Sequence, residues 1–181
     1  MLIKRKFLTG NDIYLRTLEL DDLDGNYISW FDDEAVCVAN SHHVFPMQRK
    51  ELEEYILNSS LCCFRFAIIL NDDDRHIGNI CLNNIDFINR CAEISIIIGE
   101  KDCWGKGYAE QAYKMLISHG FKALNLHRIY MGTYESNEGI KRLAKKLGFL
   151  QEGVRRQAAY KAGEYQDVIE FGLLKSECLW L

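Results

Sequence analysis

The 181-residue chain has a single proline, Pro46, and no stretch rich in glycine and serine, so nothing marks a linker between domains. It shows no internal repeat and no low-complexity tract. No apolar run approaches the roughly 20 residues that a membrane-crossing helix needs. Excess positive charge is also missing: 26 acidic residues face 22 lysines and arginines, for a formal net charge of -4. That balance argues against a general nucleic-acid binder. The seven cysteines contain no CxxC pair; Cys62 and Cys63 are adjacent and the rest are scattered. This spacing suits neither a disulfide framework nor a metal site, and it fits a reducing compartment. The start, Met1-Leu2-Ile3-Lys4-Arg5-Lys6, is basic, but no apolar segment follows it as in a signal peptide. The reading is one domain over residues 1–181 in the cytoplasm, with no metal, membrane or nucleic-acid partner.

Apolar residues make up 48% of the chain, enough for a real core. Residues 11–20 alternate apolar and polar as a strand does. Asp21, Asp22 and Asp24 then sit where a helix start favours carboxylates, and 40–46 reads as a loop before a helix over 48–57. Strands are expected over 63–70, 76–86 and 91–99, the first two joined by an Asn71-Asp72-Asp73-Asp74 turn. A helix follows over 107–124, with Ala109, Ala112, Tyr113, Leu116 and Ile117 on one stripe at helical spacing, then a strand over 128–134. A further helix is capped by Ser136 and ended by Gly148 at C′. Two last strands flank the turn at Ala162-Gly163. The order is α+β: a mostly antiparallel sheet of about seven strands with helices on both faces.

The strongest chemical signal is the segment 94–109, ISIIIGEKDCWGKGYA. An apolar strand runs into a loop with Gly105 and Gly107, and a helix starts at once. Such a loop aims backbone N–H groups at an anion, and glycines let the backbone approach it closely. The loop is no Walker motif, because Lys106 is followed by Gly107 and Tyr108 rather than a magnesium-binding hydroxyl. Nor does it sit on the first turn of an alternating dinucleotide fold.

Trp104-Gly105-Lys106-Gly107-Tyr108-Ala109 resembles the acetyl-CoA loop of the Gcn5-related N-acetyltransferases (GNAT), and within them the ribosomal-protein-alanine and polyamine acetyltransferase branch. Ala92-Glu93-Ile94, Leu126-His127-Arg128-Ile129, Asn137 and Leu147-Gly148-Phe149 match the same family in order. The resemblance implies an acyl-CoA N-acyltransferase fold whose central strands splay apart. It implies acetyl-CoA as co-substrate, its diphosphate on the amides of Trp104, Gly105, Lys106, Gly107, Tyr108 and Ala109. The pantetheine arm would pair with Ile96, Ile97 and Ile98 and meet Asn137, with an oxyanion-stabilising N–H near Ile97. Homodimers are common in this branch. Two positions depart from the family pattern: Asp102 stands where Gln or Arg is frequent, and Ala144 where many members place a thiolate-protonating tyrosine.

Alternation along 91–99 puts Glu93, Ser95 and Ile97 on one face and the aliphatic residues on the other. Glu93 therefore faces the polar side, and it matches the glutamate that serves as base in histone-type members. Tyr134 ends the next strand, where it can hold the thioester or the substrate. Ser41, His42 and Asn83 are candidate acceptor ligands. Their neutral hydrogen-bonding character favours the primary amine of a small polar molecule, such as an amino sugar, over a peptide. A polyamine would want a denser acidic pocket than the sequence reveals. A protein N-terminus as acceptor, and a non-catalytic acyl-CoA-binding module, are the alternatives. No cysteine has an adjacent base, so transfer is expected to be direct.

Overall fold

The computed structural model describes residues 5–58 and 60–181; the Met1–Lys4 part of the basic start lies outside them. Eight strands form one sheet: β1 (Leu8–Thr9), β2 (Ile13–Thr17), β3 (Phe64–Leu70), β4 (His76–Asp86), β5 (Cys91–Ile98), β6 (Arg128–Tyr134), β7 (Leu150–Lys161) and β8 (Glu164–Leu174). Their order is β1-β2-β3-β4-β5-β6-β8-β7. Every neighbouring pair is antiparallel except β5 and β6.

The helices are α1 (Ser29–Asp32), α2 (Glu34–Cys37), α3 (Arg49–Leu57), α4 (Tyr108–Lys122) and α5 (Glu138–Leu147). They cover both faces of the sheet. The Ala112, Leu116, Ile117 and Phe121 stripe of α4 packs on Ile80, Leu82, Ala92 and Ile94, and Ala144 and Leu147 of α5 join the same core. Each fully buried Leu, Ile or Phe among them contributes about 1.5–3 kcal/mol of hydrophobic stabilisation. On the opposite face Tyr14, Ala67 and Ile69 meet Tyr27, Trp30, Phe31 and Leu52, with Ile97 packed against them. The alternation read along β5 thus holds, with Ile94 in one core and Ile97 at the other.

Three local expectations change. The strand at 11–20 shortens to Ile13–Thr17 and gains a two-residue partner, β1, which gives eight strands rather than seven. The helix expected from Asp21 breaks into a 3-10 turn, Leu20–Asp24, and two short helices. Its cause is tertiary: Asp22 is buried in a bidentate pair with Arg16 of β2, Oδ1 to Nη2 at 2.5 Å and Oδ2 to Nη1 at 2.8 Å. The cap of α5 is Asn137, whose Oδ1 accepts the Ile140 N–H at 3.2 Å; Ser136 instead donates its hydroxyl to Gln166 at 2.7 Å.

Candidate active site

The parallel pair β5–β6 holds for only three positions, Cys91–Arg128, Ala92–Ile129 and Glu93–Tyr130, and then opens. The amide of Gly99 bonds to Ile77 O. By the alternation of an antiparallel ladder, Asn79, Cys81 and Asn83 therefore bond to Ile97, Ser95 and Glu93. The backbone groups of Ile94, Ile96 and Ile98 are left facing the opening. The oxyanion donor expected near Ile97 cannot be the Ile97 amide, which is engaged by β4; its neighbours present theirs. Trp104 Nε1 closes the far end of the opening by donating to Ile98 O at 2.9 Å.

A cavity of about 1090 Å³ occupies the opening and reaches both faces of the sheet. On one side it is lined by Tyr113 of α4 and by Asn137 and Ile140 of α5. On the other it is lined by Tyr27, Phe31, Glu51 and Tyr55, with Asn79, Cys81, Asn83, Glu93 and Ser95 on its floor. Tyr134, Ser41, His42, Ile96 and Ile97 line it too. The structure thus brings both proposed catalytic residues, all three proposed acceptor ligands and Asn137 to one space. Ile98 and residues 104–109 lie outside its lining.

Glu93 is half-buried, and its Oε2 accepts a hydrogen bond from Asn84 Nδ2 at 3.0 Å. Asn84 sits at φ 50° in an irregularity of the β4–β5 ladder between Asn83 and Asp86. Asparagine tolerates this left-handed conformation, and the bulge turns its amide onto the carboxylate. Asn83 is committed at both ends: Nδ2 donates to Ser95 Oγ at 2.9 Å, and Oδ1 accepts from the Cys63 thiol at 3.0 Å. It is therefore a fixed wall. His42 stands edge-on to Phe31 at 4.7 Å, and burial, then the Lys161 charge, holds its pKa below the ordinary range. Lys161, at the tip of the β7–β8 hairpin, donates to the His42 carbonyl and ties that hairpin to the 40–46 loop. Burial raises the Tyr134 phenol, and its carbonyl accepts the Asn137 N–H at 2.9 Å.

The loop before α4 has Gly105 at φ 72° and Gly107 at φ 85°, and a Cβ at either would meet nothing within 4 Å. Gly107 is the N-cap of a 15-residue helix and offers no side chain to its first N–H groups. Open space above uncapped amides fits a diphosphate. Ala144 is buried in the core beneath α5, so no side chain there reaches the opening. The tyrosines that do line the cavity, Tyr27, Tyr55, Tyr113, Tyr134 and Tyr160, come from elsewhere. Sequence reading missed Tyr27, Glu51, Tyr55, Asn79 and Arg155, which meet only through the tertiary fold. The one local signal was the Asn83-Asn84 pair within a strand, a composition that strands disfavour.

An antiparallel sheet parted at one parallel pair, with an uncapped helix start beside the opening, is the architecture of a CoA-dependent acyltransferase. The model of the acetyltransferase (GNAT) domain matches residues 12–150. The chain is 36% identical over 166 residues to the N-acetyltransferase p20 of Bacillus licheniformis, covering 90% of this chain and 93% of the relative. It is 27% identical over 175 residues to the spermidine N(1)-acetyltransferase of Escherichia coli K12, covering 94% and 90%. The crystal structure of spermidine N-acetyltransferase from Vibrio cholerae, in complex with CoA and spermine, superposes with a TM-score of 0.84. It is 28% identical, covering 93% of this chain and 98% of that one. The chain belongs to the GNAT acetyltransferase family. It is an acetyl-CoA-dependent N-acetyltransferase, and among its described residues no helix is long and apolar enough to cross a membrane.

Proposed function

We propose that residues 1–181 act as one domain that transfers acetyl directly to the primary amine of a small polar molecule. The observation that carries this reading is the cavity through the opened sheet, with Glu93 on its floor. Acetyl-CoA supplies the activated thioester carbonyl. Amides of Trp104–Ala109, with Lys106, hold the diphosphate, while the free backbone groups of Ile96, the Ile98 N–H and the Asn137 side chain align the arm. Glu93, directly or through one water, takes a proton from the acceptor ammonium, which then bonds to the carbonyl carbon. A backbone N–H facing the opening stabilises the oxyanion. As the carbon–sulfur bond breaks, the nitrogen releases its second proton, which the departing thiolate takes up directly or through water, and the Tyr134 phenol, whose pKa burial raises, is the proposed hydrogen-bond donor to that sulfur. Ser41, His42 and Asn83 shape the acceptor end.

A second reading, a polyamine acceptor, is favoured by one observation. Glu51 of α3 joins Glu93 in lining the cavity, together with the aromatic residues Tyr27, Phe31 and Tyr55. Two carboxylates and aromatic faces suit a chain of ammonium groups. A panel of amino sugars, spermidine and N-terminal peptides, monitored for free CoA, tests the assignment. Preferred turnover of peptides would reject both small-amine readings. A cytoplasmic setting and a homodimer complete the proposal. Seven free thiols support the first. Exposed Phe87 and Ile88 in the β4–β5 turn support the second, which light scattering tests.

A further inference from the structure

The glycine loop is preceded by an exposed acid, Asp102, three residues before Gly105. A carboxylate beside a diphosphate opposes binding. A second acid, Glu100, lies just upstream. Arg75 approaches both from the turn before β4: its Nη2 lies 2.7 Å from Asp102 Oδ2 and 3.5 Å from Cys103 Sγ, and its Nη1 lies 3.8 Å from Glu100 Oε2. Among the described residues no other lysine or arginine lies within 4.0 Å of either acid. The turn is built to deliver it. The Arg75 N–H donates to Asp73 Oδ1 at 3.0 Å, and its carbonyl accepts from Leu70 N–H at 3.0 Å.

We propose that Arg75 is a positioning residue for cofactor binding: it acts through Asp102, neutralising that carboxylate so that the glycine loop can accept the CoA diphosphate. The cation comes from another element of the fold, 27 residues upstream in the chain. The proposal rests on the reading that residues 104–109 take the diphosphate.

Calorimetric titration with CoA tests it. Arg75→Gln keeps a donor for Asp102 but removes the charge, and it should weaken CoA binding roughly tenfold at low salt. The acetyl-CoA KM should rise in parallel while kcat stays within about twofold of the parent, because binding and not chemistry is touched. Added salt should narrow the gap, since exposed charges are screened. Asp102→Asn placed in the Arg75→Gln background should bring CoA affinity back to within about twofold of the parent, and Arg75→Lys should stay near it. A double variant as weak as Arg75→Gln alone would overturn the proposal, as would unchanged binding in Arg75→Gln or an Arg75→Lys as weak as it. If Arg75→Gln fails to fold, Asp102→Asn alone carries the test: it should bind CoA at least as tightly as the parent, and weaker binding would overturn the idea. Gly105→Asp checks the underlying reading separately, since aspartate tolerates the left-handed backbone there. Retained CoA binding in that variant would mean that the loop does not hold the diphosphate at all.

Discussion

Glu93→Gln isolates the proton-transfer step. Glutamine keeps the shape of the side chain and can still accept the Asn84 amide, now 3.0 Å from Oε2, so the floor of the cavity should stay in place. Only the negative charge and the basicity go. An alkyl ammonium has a pKa of about 10.4, so roughly one acceptor molecule in 10³ arrives neutral at pH 7.5. General-base loss typically costs 10²–10⁴ in rate. The expected fall in kcat/KM for the amine is therefore roughly 10²–10³-fold at pH 7.5. The deficit should shrink about tenfold for each pH unit gained, and nearly vanish close to pH 10. CoA affinity should not change, because the Glu93 side chain projects toward the acceptor side. The assay is initial-rate release of free thiol over a pH series, with calorimetry for CoA. A variant within about threefold of the parent at pH 7.5, or a deficit of constant size at every pH, would refute the assignment of Glu93 as base.

Asn84→Gly keeps the left-handed backbone and deletes only the amide that holds Glu93; kcat should fall about two- to fivefold, the effect of losing one part-exposed hydrogen bond, with CoA affinity unchanged in the same calorimetric assay. Burial holds His76 below its ordinary pKa, and the Asp22 charge 3.8 Å away offsets this only in part. The unfolded chain therefore takes up the proton first, so the melting temperature should fall as pH drops below about 6.5, and His76→Gln should flatten that slope. An unaltered slope in the variant would mean that other groups govern the acid limb. Incubation with acetyl-CoA and no acceptor should leave the intact mass unchanged. Burial pushes the Cys81 thiol up to about 11 and raises that of Cys103, so neither offers a thiolate. A stoichiometric acetyl adduct able to pass to the amine would replace direct transfer with a covalent mechanism.

The elements that carry strong local pattern were legible from residues alone. The α4 stripe, the Gly148 stop of α5 and the alternation on β5 are each dictated by spacing, and the structure reproduces them. Failures came where a long-range contact outweighs local preference. Asp22 looks like a helix-start acid, but its pairing with Arg16 pins the chain into a 3-10 turn. Ser136 and Asn137 are equally good caps by type, and the Gln166 partner of Ser136, on a distant strand, selects between them. At the site, Glu93 and the glycine loop could be singled out because each sits in an ordered motif. Glu51, Tyr27, Tyr55 and Arg155 could not, since three separate stretches of chain must fold before they share a cavity. Arg75 shows the same limit: Asp102 was visible as a departure, but its neutralising partner was not.

The activity of this protein is decided by what happens to the thioester when an amine enters the opened sheet. The most direct measurement is paired: free CoA released from acetyl-CoA on addition of each amine in the panel, and the mass of the recovered acceptor. The predicted result is one equivalent of free CoA for each acceptor gained by one acetyl group, for at least one small primary amine, with little release in its absence. Release that no amine stimulates, or release without a matching acetylated product, would contradict it.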